Sequence, residues 1–141
     1  MEPVCRVPVE VRFRDLDAMG HVNNAVVVTY LEVARTRFWL AHFNPAASAV
    51  DFPFVVARVV VDYRQPIHLQ DPVEVEVRVS HVGRSSFTLA YRVWAGGAVA
   101  AEAETVQVHY DYTQRQSKPL GMTLRQQLER LLSREDQQSQ G

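Results

Sequence analysis

Hydrophobic and polar positions alternate along much of this chain, and each such stretch predicts a half-buried strand. Val7, Val9, Val11 and Phe13 alternate with Arg6, Glu10, Arg12 and Arg14, so residues 4–13 read as a strand. Pro8 assigns that strand to a sheet edge or a bulge, because proline donates nothing to a ladder. Residues 15–24 are mostly polar, contain Gly20 and read as a loop. Ala25 to His42 holds no turn residue and is too long for one strand. It predicts a helix in spite of the β-branched run Val26-Val27-Val28-Thr29. Asn23 or Asn24 can cap its start. Glu32 and Arg35 are spaced to pair on its surface or to reach a partner subunit. Apolar residues around most of the circumference predict deep burial.

Past Asn44-Pro45 the strand pattern returns. Phe54 to Tyr63 is valine-rich, and Gln65-Pro66 and Asp71-Pro72 break the chain after it. Val73, Val75, Val77 and Val79 alternate with Glu74, Glu76, Arg78 and Ser80. His81-Val82-Gly83-Arg84 reads as a turn, and Phe87, Leu89, Tyr91 and Val93 mark the next strand. Gly96-Gly97 predicts a tight hairpin into a long strand from Val99 to Tyr112. Met122 to Leu132 has helical spacing, and the Gln- and Ser-rich tail from Ser133 is expected to be disordered. One strand, a long helix, four strands and a short helix make an α+β domain over residues 1–132, with strands wrapped around the long helix.

Composition narrows the function classes. The chain has 141 residues, 47% of them hydrophobic and 22% charged, which suits one globular domain. A net charge of −1 gives no field favouring nucleic acid or an anionic membrane. The single cysteine, Cys5, cannot form an intramolecular disulfide, and neither a signal peptide nor a membrane-length apolar run is visible. A cytoplasmic location is expected. The five histidines are scattered, and no CxxC, HExxH, P-loop or GxGxxG pattern occurs, so neither a metal nor another cofactor is expected.

The chemistry-bearing residues sit in one loop. Val11-Arg12-Phe13-Arg14-Asp15-Leu16-Asp17-Ala18-Met19-Gly20-His21-Val22-Asn23-Asn24-Ala25, followed by Tyr30-Leu31-Glu32-Val33-Ala34-Arg35, resembles the start of a hotdog-fold thioesterase. It is similar to the 4-hydroxybenzoyl-CoA thioesterase family and its acyl-CoA thioesterase relatives. The element order extends the resemblance from about residue 4 to 132. Without it, the loop reads only as rich in Asp, His and Asn.

The resemblance implies a five- or six-stranded antiparallel sheet around the long helix, a homodimer or homotetramer, and a site at the dimer interface. It implies hydrolysis of an acyl-CoA to a free acid and coenzyme A. Asp17 would be nucleophile or general base, and the backbone N–H of Asn24, seven residues on, would be the oxyanion donor. Asp15 is a turn residue in this reading. Plant acyl-carrier-protein thioesterases carry Asp, Asn and His at alternate positions before Val-Asn-Asn; here Met19 holds the Asn position, and His21 is a base or a structural hydrogen-bonding residue. Arg58, Arg64 and Arg84, with Ser85 and Ser86, are candidate contacts for coenzyme A phosphates. The rival readings are an acyl-carrier-protein thioesterase, a hotdog dehydratase or hydratase with its acid on the helix, and a non-catalytic acyl-CoA-binding dimer.

Overall fold

The computed structural model describes residues 4–43 and 54–132. Strand β1 (Val4–Val9) leads through a 3₁₀ turn (Phe13–Asp15) into helix α1 (Asn24–His42). Strands β2 (Phe54–Tyr63), β3 (Val73–Val82), β4 (Ser86–Ala95) and β5 (Ala98–Asp111) follow, then a two-residue strand β6 (Gln116–Ser117) and helix α2 (Met122–Arg130). The sheet is antiparallel in the order β1-β3-β4-β5-β2, with β6 on the end of β5. The β1-to-β2 connection, which contains α1, therefore runs from one edge strand to the other.

Side-chain alternation decides which face the helix covers. Val75, Val77 and Val79 of β3, Phe87, Leu89 and Val93 of β4 and Ala101 and Ala103 of β5 are buried. So are Val27, Tyr30, Leu31, Ala34 and Phe38 of α1. Together they form one core, and each large apolar side chain fully buried there contributes about 1.5–3 kcal/mol. The opposite face carries charge: Glu76 takes an ion pair from Arg6 at 2.6 Å and a hydrogen bond from the Trp94 indole at 2.9 Å.

Several expectations need correction. The first strand ends at Val9, not at 13, and Phe13 is 81% exposed rather than turned inward. Asp15 causes this: its carboxylate accepts from the Arg12 amide at 3.0 Å and from the Tyr30 hydroxyl at 2.7 Å, folding the chain into a turn. The turn expected at residues 81–84 begins later, because a bulge between Val79 and His81 lets β3 continue to Val82. Helix α1 is buried along one face only; Thr29, Glu32, Val33 and Arg37 are exposed. Strand β6 had no periodicity to betray it at two residues. Helix α2 stops at Arg130, and Leu132 instead bridges to Val79. Pro8 does lie on an edge strand, and Gly96 and Gly97 take φ of +60° and +86°, as a tight two-residue hairpin requires. The tail from Ser133 lies outside the described residues.

Candidate active site

Backbone hydrogen bonds shape the loop between the 3₁₀ turn and α1. Asp17 N–H donates to the His21 carbonyl at 2.8 Å, and Gly20 N–H donates back to the Asp17 carbonyl at 3.0 Å. Gly20 sits at φ +78°, a conformation that suits glycine. Val22 N–H then bonds the Ile67 carbonyl at 2.8 Å, pinning the loop to the segment that leaves β2. The Asp17 carboxylate is exposed, and Oδ1 accepts from the Met19 amide at 2.9 Å and the His21 amide at 3.4 Å. One oxygen is thus tied to its own loop, while Oδ2 has no protein partner among the described residues.

The start of α1 is built by Asn23. Its side chain accepts from Ala25 N–H at 2.8 Å, and its carbonyl accepts from Val26 and Val27 N–H. Asn23, not Asn24, is therefore the cap. Among the described residues the Asn24 N–H is the first-turn amide left without a partner. The Asn24 carbonyl accepts the Tyr63 hydroxyl at 2.7 Å, which joins the end of β2 to the first residue of α1.

These groups share one open cavity of about 290 Å³. Asp17, His21, Asn24, Tyr63 and Arg64 line it, with Ala100 and Ala101 of β5 among the other walls. The structure thus brings four of the expected residues together: Asp17, His21, Asn24 and Arg64. Arg58 lies further along β2, 3.9 Å from Glu104. Arg84, Ser85 and Ser86 sit at the β3–β4 turn, where Ser86 faces Val108 and Ser85 accepts from His109 N–H. Val108 is seven residues along β5 from Ala101, roughly 23 Å at strand rise. Within one protomer these three residues are remote from Asp17. Tyr63 was missed, since no spacing ties a residue at the end of β2 to a helix start.

Two further placements differ from expectation. Asp15 is more than a turn residue: it is 2% exposed, and burial alone would raise its pKa. Hydrogen bonds from Arg12 and Tyr30 outweigh that and hold it below the usual carboxylate value. Glu32 and Arg35 form no ion pair with each other among the described residues; Arg35 donates to the Tyr91 hydroxyl at 3.4 Å. Tyr91 shares a 2.6 Å bond with Thr105, which donates to Gln107 at 2.6 Å. A smaller apolar cavity, about 110 Å³, opens above this buried polar chain between Arg35, Trp39, Phe54, Phe87 and Gln107.

A six-stranded antiparallel sheet with one long helix packed against it is the architecture of hotdog-type thioesterases. Residues 11–128 match the Thioesterase-like superfamily, and the chain belongs to that family. A thioesterase of Thermus thermophilus, crystallised with coenzyme A and zinc, superposes with a TM-score of 0.82 at 43% identity, covering 92% of this chain and 94% of that one. The acyl-CoA thioester hydrolase YbgC of Escherichia coli is 32% identical over 75% of this chain and 81% of its own. The 1,4-dihydroxy-2-naphthoyl-CoA hydrolase of Synechococcus elongatus is 28% identical over 78% and 84%. Among the described residues no helix is long and apolar enough to cross a membrane, and no group of three His, Cys, Asp or Glu side chains could hold a metal ion.

Proposed function

We propose that the protein hydrolyses an acyl-CoA thioester to a free acid and coenzyme A. The observation that carries this reading is the unpartnered Asn24 amide, which stands at the start of α1 in the same cavity as the Asp17 carboxylate. A helix N-terminus carries partial positive charge, so negative charge developing on the thioester oxygen is stabilised there. Water adds across the C–S bond: oxygen goes to the carbonyl carbon and a proton to sulfur. Asp17 Oδ2 performs the opening step, either by attacking carbon to give a mixed anhydride or by taking a proton from water. In either route the proton that water loses ends on the thiolate sulfur, and His21, whose backbone N–H meets Asp17, is the group that relays it.

The site is completed by a second copy of the chain. β2 is an edge strand whose Val56 and Val59 are 41% and 42% exposed, an unsatisfied and apolar edge. Two β2 edges joined about a two-fold axis run antiparallel, so the Phe54 end of one approaches the Tyr63 end of the other. The Arg84–Ser86 turn lies at the Phe54 end. Its guanidinium and hydroxyls then reach coenzyme A phosphates in the neighbouring site. The deciding experiment is thiol release from a panel of acyl-CoAs by wild type and Asp17→Asn. Turnover is expected to fall at least about a hundredfold. Retained turnover in folded Asp17→Asn protein would falsify the assignment.

A further inference from the structure

The β2–β3 connection places a second histidine directly behind the site. Val22 N–H bonds the Ile67 carbonyl at 2.8 Å, and this zips residues 21–22 against 67–68. Ile67 is buried, so the junction is anchored in the core. The His21 and His68 rings consequently meet edge to face, with centroids 5.0 Å apart and planes at 89°. That lies within the range of favourable aromatic pairs. His21 lines the cavity; His68 does not.

His68 is itself held. Asp71 Oδ2 accepts the His68 backbone N–H at 2.8 Å and lies 3.4 Å from His68 Nδ1. The Asp71 N–H closes the turn onto the His68 carbonyl at 3.1 Å. The Asp71 carboxylate therefore lies against the Nδ1 edge of the His68 ring, and the same oxygen holds the backbone that carries it. The charged and titratable groups around His21 are Asp17 in its own loop, Tyr63 and Arg64 at the end of β2, and Asp71 behind His68.

We infer that His68, fixed by Asp71, is a positioning residue for His21: it sets the plane in which that imidazole faces the Asp17 cavity. The inference rests on the thioesterase reading above for its catalytic consequence, and on the ring geometry alone for its structural one. A free imidazole at the rim of an open cavity samples several rotamers, and the ring behind it removes some of them. His68 is not among the residues that line the cavity, so its role is exercised through His21.

The test is a double-mutant cycle over His21→Ala and His68→Ala, with side-chain histidine NMR on the same proteins. His68→Ala is expected to lower kcat about five- to tenfold with KM within about twofold, and to have no further effect once His21 is alanine. His68→Phe, which keeps a flat ring at that place, is expected to recover part of the loss. The His21 ring resonances should shift in His68→Ala and much less in His68→Phe. Multiplicative losses, unchanged His21 resonances, or full kcat in His21→Ala would each overturn the inference. Should wild type release no thiol from any acyl-CoA, the thioesterase reading fails by itself. The NMR comparison then decides the ring pairing.

Discussion

The Tyr63 hydroxyl donates to the Asn24 carbonyl across 2.7 Å, so the last residue of β2 is bound to the first residue of α1. Both residues line the cavity that holds Asp17, so the bond fixes the first residue of α1 at the cavity wall. Tyr63→Phe keeps the ring and removes the donor. It is expected to cost about 0.5–1.5 kcal/mol of stability, the usual net value of one hydrogen bond, read from the urea midpoint. Turnover should fall further than stability alone explains, by about tenfold, because an oxyanion donor works only when its position is fixed. An unchanged kcat would remove Tyr63 from the site.

Buried Asp15 ties acid stability to the same loop. Its folded pKa lies below the unfolded one, so its contribution is fully present above about pH 4, near the unfolded carboxylate value. The contribution is lost as pH falls through the lower folded value, where the folded carboxylate takes up its proton. Stability measured by urea unfolding should therefore decline below about pH 4. In Asp15→Asn the decline should be shallower, from a lower plateau, because the amide still meets Tyr30 but carries no charge for Arg12. Parallel pH profiles for the two proteins would count against Asp15 as the source.

These two residues also mark what the sequence discloses and what it hides. Val73 to Val79 and Phe87 to Val93 are legible because their burial alternates, and Gly96-Gly97 because only glycine accepts both turn conformations readily. Asp17, His21 and Asn24 are legible as a motif, and the fold brings them into one cavity with Arg64. Tyr63 and His68 are not legible, because their partners lie 39 and 47 positions away in the chain, and nothing local records such a contact. Asp15 reads as a mere turn residue for the same reason: the hydroxyl that meets it belongs to Tyr30, fifteen positions away. The one-sided burial of α1 is hard to read because Val33 shares the exposed face with Thr29, Glu32 and Arg37 and blurs its polar pattern.

Association along β2 makes a separable prediction. A charge placed on the exposed edge by Val59→Lys is expected to convert the wild-type species, at least twice the 16.0 kDa chain, into smaller ones by sedimentation. Acyl-CoA turnover should fall with it. Arg84→Ala, in the β3–β4 turn and not on β2 itself, should leave association intact and raise KM for acyl-CoA about five- to tenfold, the value of one charge-assisted phosphate contact. A pantetheine thioester without the nucleotide should show no such change. Equal effects on both substrates would place Arg84 outside the phosphate site.

One branch of the covalent route open to Asp17 leaves an isotope record that water activation cannot. Oδ1 is held by the Met19 and His21 amides, and Oδ2 points free of the loop, so one oxygen is available in either route. If Oδ2 attacks the thioester, the acyl group is carried briefly on Asp17, and water then cleaves the anhydride. In a single turnover in ¹⁸O-labelled water with enzyme in excess, attack of that water on the acyl carbon puts the label in the acid. Attack on the aspartyl carbon puts it in Asp17, and the acid keeps an enzyme oxygen. General-base catalysis never labels Asp17, at any number of turnovers. Mass spectrometry of the peptide containing Asp17 is therefore the measurement. Label there establishes covalent catalysis. Its absence after many turnovers, with full label in the acid, is the result expected if the water oxygen goes only to the acyl carbon, and it removes the branch in which water attacks the aspartyl carbon.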